Sequence, residues 1–283
     1  MPKIKIQNHS YLNSAIRTLA SKCKHPFARD CPGMLDTFFE IESQVPKSYD
    51  WNFTSEESLV EKLSDILDDE EWNRIYWRDF AESLQAFSIL SFNRQLGIIR
   101  PAIRALNTGE FLAAAVLTRS ALELSAWSIS STNIIRNTLS EIAVNARPAD
   151  VRYTANGLQT LLVKMLWGTR LSTENSEMKQ TNTLTVLSKL AKHDSANFLM
   201  PAYEFLCEAT HPNIVGNAEY WVYPKNFTSL KQFKIKITSS PTKLEPNELL
   251  EYTLGALGWS GVCIRNSMMQ VRTTLEVIGK KLF

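Results

Sequence analysis

Two short stretches hold residue types suited to phosphate or proton chemistry. In the first, Arg119 and Glu123 stand four apart in an otherwise apolar run that begins at Phe111. At about 100° per residue both project to the helix side shared by Leu112, Val116 and Trp127. A guanidinium can hold a phosphate with its forked donors, and a carboxylate one turn away can fix its position. The same pair also fits a structural ion pair. Exposed, it would add only a few tenths of a kcal/mol to the helix. Partly buried beside the core stripe, losing one partner would cost on the order of 3–5 kcal/mol.

The second stretch is Glu208-Ala209-Thr210-His211-Pro212-Asn213. Glu208 and His211 are three apart, and Pro212 ends the helix that carries them. The carbonyl end of a helix and a nearby carboxylate both stabilise the imidazolium, so His211 is a candidate general acid or base near neutral pH. It serves equally well as a helix cap. Toward the C-terminus, Lys225, Lys231, Lys234 and Lys236 form a basic strip near Tyr220, Trp221 and Tyr223, a combination that suits phosphate and base contacts of RNA or single-stranded DNA. Lysines on an exposed strand also guard a sheet edge against aggregation.

Other chemistry finds little footing. A lone Glu-x-x-His supplies two ligands, so no metal is expected, and no cofactor is implied. The four cysteines, Cys23, Cys31, Cys207 and Cys263, contain no CxxC pair and read as reduced, structural thiols. A phosphate-binding GxxxxGK[ST] loop, GxGxxG, GxSxG and HExxH are all absent from the sequence.

The elements that would carry these residues are mostly helices. Glycine is scarce, at 10 of 283 residues, which leaves few tight β-turns. Periodicity predicts helices over 11–22, 33–44, 55–67 (opened by a Thr54–Glu57 capping box), 71–93, 94–106 and 110–128 (opened by Asn107). Further helices are expected over 133–144, 156–167, 183–191 and 201–210, and a long one over 246–280. Residues 25–32, with two prolines, read as a loop. Lys3–Gln7 reads as a strand, and 218–223 with 231–238 as a hairpin whose Phe233, Ile235 and Ile237 share a face. The fold class is thus mainly α: a helical bundle with a small β-hairpin before a long C-terminal helix, and the N-terminal strand able to extend the hairpin. Residues 1–70 form a helical extension, and 71–283 the core.

Apolar residues make up 44% and charged residues 21% of the chain, so a packed core is expected rather than disorder. The longest apolar run, Phe111–Leu117, falls far short of the ~20 residues needed to span a bilayer. The N-terminus lacks the apolar stretch of a secretory signal. Both point to the cytoplasm, with no membrane partner. The net charge of +2 is unevenly spread: Ser55–Glu82 holds ten acidic and three basic residues. Such a run is ordinarily a solvated helix face, and otherwise a surface that docks on a basic one.

Taken together, Ala113–Glu123, with Arg-Ser-x-x-Glu, and Tyr203–Asn213, with Glu-x-x-His-Pro, resemble two helices of a group of bacterial proteins similar to the HEPN-like helical bundles. Many of those act in phage defence or toxin–antitoxin pairs. The resemblance implies one inter-helix site of Arg119, Glu123, Glu208 and His211, acting on or binding RNA or a nucleotide. Ribonucleases of the family carry an arginine followed four to six residues later by histidine, and this sequence has no such pair, so the resemblance carries over the placement of the residues and not the catalysis. The alternative is a non-catalytic helical scaffold, acting as a homodimer or as a subunit of a defence complex.

Overall fold

Helical periodicity governs the chain in space as it does in sequence. In a computed structural model, described over residues 11–145, 147–169, 178–179, 181–193, 196–211, 214–222, 236–238 and 247–281, the element order is α1 (Ser14–Ser21), α2 (Pro26–Glu40), a 3-10 turn (Glu42–Gln44), α3 (Glu56–Ser64), α4 (Asp69–Thr108), α5 (Phe111–Asn145), α6 (Pro148–Trp167), α7 (Thr183–Leu190), α8 (Leu199–Thr210), α9 (Ile214–Ala218), β1 (Trp221–Val222), β2 (Lys236–Ile237) and α10 (Glu248–Lys281). The two strands pair antiparallel, Trp221 opposite Ile237 and Val222 opposite Lys236. The fold is therefore the expected one, a helical body with a small hairpin before a long last helix. The expected strand at Lys3–Gln7 lies outside the described residues, as do Phe233 and Ile235.

Several expected boundaries move, each for a local reason. Residues 25–32 open α2 instead of forming a loop. His25 caps the helix: its carbonyl accepts from Ala28 and Arg29, its Nδ1 accepts from the Phe27 amide, and Pro26 takes the first helical position, where no N–H is needed. The cap of α3 is Ser55, whose hydroxyl accepts from the Ser58 amide at 3.2 Å, one residue beyond the expected Thr54. Because α3 ends at Ser64, Leu67 falls past it and is 93% exposed rather than inward. Ile237 is also exposed rather than half-buried.

The helices expected over 71–93 and 94–106 are one, α4, with Pro101 inside it. The carbonyl that Pro101 leaves without its i−4 donor belongs to Gly97, which is exposed to solvent. At the end of α4, Gly109 adopts φ +81, its amide donates to the Leu106 carbonyl, and the Glu110 amide donates to the Ala105 carbonyl. That is a Schellman motif, which favours glycine at this position. Asn107, expected to cap the next helix, instead binds the segment that leads into α1: its Nδ2 donates to the Tyr11 carbonyl (2.9 Å) and its Oδ1 accepts from the Asn13 amide (2.9 Å).

The helices expected over 110–128 and 133–144 are likewise one, α5. Its polar stretch is buried: the Thr132 hydroxyl lies 2.9 Å from the Ser128 carbonyl and 3.2 Å from Ser267 Oγ of α10. A seven-residue repeat runs along α10. Leu250, Leu257, Ile264, Val271 and Ile278 are buried, and so are Thr253, Ser260, Ser267 and Thr274, three residues after each of the first four.

By contacts the chain divides into two compact units, each discontinuous in sequence, and α4, α5 and α10 contribute to both. The division does not follow the expected boundary at residue 70. The first unit contains Met1–Glu40, Gln95–Glu123 and Ala191–Val262. Here the glycines of α10 admit α2: a β-carbon on Gly258 would stand 3.0 Å from Cys31 Cα, and one on Gly261 would stand 3.1 Å from Phe38 Cβ. Asn247 caps α10 through its Oδ1 and donates from Nδ2 to Glu219 just before the hairpin, at 3.0 Å. The second unit contains Ile41–Arg94, Leu124–Leu190 and Cys263–Phe283. Its core packs Trp72, Tyr76, Trp77 and Phe80 of α4 against α3, α5, α6 and α10. Among the described residues no helix is long and apolar enough to cross a membrane.

Candidate functional site

Within the first unit, α5 and α8 meet at a polar cluster. Thr118, Ala121 and Leu122 are buried, and this leaves Arg119 and Glu123 half-exposed at the edge of α5. Arg119 Nε lies 3.4 Å from Glu123 Oε1, with 31% and 28% of the two side chains exposed. Across the helix pair, Arg119 Nη1 donates to Thr210 Oγ1 at 3.0 Å, and the Thr210 hydroxyl lies 2.8 Å from the Cys207 carbonyl. The Tyr203 hydroxyl donates to Glu123 Oε1 at 3.0 Å, and the guanidinium sits 5.7 Å from the Tyr203 ring centre. Tyr203, Cys207 and Thr210, at i, i+4 and i+7, form the face that α8 turns toward α5.

Electrostatics keep this cluster charged. Burial acts to lower the Arg119 pKa, but the Tyr203 hydroxyl and the neighbouring Cys207 and Glu123 outweigh it, and the net shift is upward. Arg119 is therefore a fixed cation. Burial, opposed by Arg119 and reinforced by Glu123, holds the Tyr203 phenol up at about 12, so Tyr203 serves as a neutral donor.

The four residues singled out from the sequence are thus distributed over this site unequally. Arg119 and Glu123 pair and lie against α8. Glu208 and His211 occupy the adjacent stripe of α8, both exposed, with the His211 amide closing the helix on the Cys207 and Glu208 carbonyls (3.2 and 3.3 Å). Tyr203 and Thr210, which make the cross-helix contacts, were not singled out. Their spacing with Cys207 was the available signal. Of the basic strip, Lys236 is exposed on β2, and Lys225, Lys231 and Lys234 lie outside the described residues.

Among the described residues no three His, Cys, Asp or Glu side chains gather closely enough to hold a metal ion. The four cysteines are free thiols. Burial, with the Glu251 charge adding to it, pushes the Cys23 thiol up to about 11, and burial raises Cys31 and Cys263 further, so these three are poor nucleophiles.

Fold and site together define a mainly α protein with an arginine-centred cluster joining two helices and an exposed histidine at the end of one of them. Comparison with protein-family models, with curated proteins and with solved structures gives no match.

Proposed function

We propose that this chain is a HEPN-like helical-bundle protein of a bacterial defence or stress system, working in the cytoplasm and binding or acting on RNA or a nucleotide at the α5–α8 site. Arg119 supplies the fixed positive charge for a phosphate, and His211 exchanges a proton. Glu123 orients the guanidinium and Glu208 the imidazole, while Lys225, Lys231, Lys234 and Lys236 supply further phosphate contacts. The observation that carries this reading is the Arg119–Thr210 hydrogen bond, which brings a permanent cation to the residue adjoining His211, at a helix end open to solvent.

The test is labelled single-stranded RNA mixed with the purified chain, with binding and chain length followed together. The reading expects RNA to be retained or shortened, and expects His211→Ala to lose that handling with its helical content unchanged. Unaltered RNA handling by a folded His211→Ala protein would remove the case.

A second reading, a non-catalytic scaffold or interaction protein, draws on a different feature of the same cluster. The guanidinium is already engaged by Glu123, Thr210 and the Tyr203 ring, as an internal brace would be. It expects Arg119→Ala to lower stability while RNA is ignored by wild type and variant alike.

A further inference from the structure

In the second unit, a cavity of about 370 Å³ opens between the segment before α3 and the helices α4 and α6. That volume lies in the range of small-molecule sites. Its floor is apolar, with Leu162, Val163 and Leu166 of α6, and its wall carries Asp79 and Ser83 of α4. At the mouth stand Phe53 and Trp167, 54% and 47% exposed, meeting edge to face with ring centres 5.5 Å apart. Trp51 backs both, stacked on Trp167 at 6.1 Å and edge-on to Phe53 at 5.3 Å.

Among the described residues, the charge lining this space has one sign: Glu57 and Asp79 line it, and no described lysine or arginine does. The Thr54 hydroxyl stands near enough to favour the ionised Asp79 carboxyl. Burial nevertheless pushes its carboxyl up, and Glu82 adds to this against the opposing pull of Thr54 and Lys62, so its negative charge is under-compensated. The surrounding Ser55–Glu82 stretch, ten acidic residues to three basic, extends the same field outward. An apolar floor excludes a bare hydrated metal ion as the natural occupant, and the carboxylates exclude an anion. Aromatic faces attract organic cations.

We propose that this cavity binds an alkylammonium group, its hydrocarbon part against Leu162 and Leu166 and its charged head on Asp79 beside the aromatic mouth. A free amine and a lysine side chain of another polypeptide share that chemistry.

The test uses the full chain and n-pentylammonium as probe, followed by calorimetry and by tryptophan emission, since Trp51 and Trp167 adjoin the mouth. Saturable binding is expected, with n-pentanol, equal in length but uncharged, at least about tenfold weaker. Asp79→Asn, nearly isosteric but uncharged, should weaken n-pentylammonium by a similar factor. Absence of any heat or emission change with n-pentylammonium would overturn the proposal, as would equal affinity for n-pentanol or an undiminished affinity in folded Asp79→Asn. Should that variant fail to fold, the comparison of amine and alcohol on the wild-type chain decides the matter alone. A short lysine-containing peptide distinguishes the sources: tighter binding than n-pentylammonium identifies a polypeptide lysine, and weaker binding identifies a free amine.

Discussion

Replacing Arg119 by alanine removes three contacts at once. A charge-assisted hydrogen bond to Thr210 at 3.0 Å is lost, and bonds of this kind contribute about 1.5–3 kcal/mol. An ion pair with Glu123, about a third exposed on both sides, contributes only ~0.3–0.5 kcal/mol. The contact with the Tyr203 ring at 5.7 Å adds ~0.5–1 kcal/mol. These overlap, because one side chain is being ordered once, so the expected loss is about 2 kcal/mol. It stays below the ~3–5 kcal/mol of a fully buried broken pair, because Glu123 keeps its hydrogen bond from Tyr203 and reaches solvent. Urea unfolding followed by circular dichroism measures the difference, and urea leaves ion pairs unscreened. Arg119→Lys, which keeps the charge but not the fork, should fall between wild type and alanine. A loss under ~0.5 kcal/mol for Arg119→Ala would refute the view that this residue joins α5 to α8.

Other substitutions probe the remaining structure. Asp79→Asn should raise the melting temperature at neutral pH, because a carboxyl whose pKa is raised by folding costs stability once ionised; below the ordinary carboxylate range both states are protonated and the gain should vanish. A gain that persists in acid would place its cause elsewhere. Gly258→Ala should destabilise by ~1–3 kcal/mol, since its β-carbon would press on the Cys31 backbone, whereas Gly157→Ala, with open space around it in α6, should stabilise by ~0.5–1 kcal/mol. Equal effects in urea titrations would contradict the close approach of α2 to α10. Asn107→Ala loses both side-chain bonds to the Tyr11–Asn13 segment and should cost about 2 kcal/mol by the same titration. An unchanged midpoint would mean that those bonds are equally well replaced by water.

The helical class was legible because amphipathic spacing survives without knowledge of partners. Trp72, Tyr76, Phe80 and Leu84 all face inward in α4, as their spacing requires. The breaks were less legible, since local breakers were overridden by packing. Pro101 and the Ser131-Thr132-Asn133 stretch look like interruptions in sequence, yet both sit inside continuous helices. Pro26 and Pro32 hid α2, whose start depends on a histidine cap that composition does not advertise. The seven-residue repeat of α10 is present in the sequence, with Gly255, Gly258 and Gly261 set between its positions. At the site, the pairing of Arg119 with Glu123 followed from spacing within one helix. Which stripe of α8 would meet it did not follow, because two adjacent stripes are polar there and only tertiary packing selects Tyr203 and Thr210.

The proposed activity rests on a guanidinium and an imidazole acting together on RNA. Its most direct measurement is RNA retention and cleavage by wild type, Arg119→Lys and His211→Ala at one protein concentration and low salt. The account predicts handling by wild type, weakened retention in Arg119→Lys and none of the cleavage in His211→Ala, all three proteins remaining helical. Identical behaviour of the three, or no engagement of RNA by the wild-type chain, would contradict it.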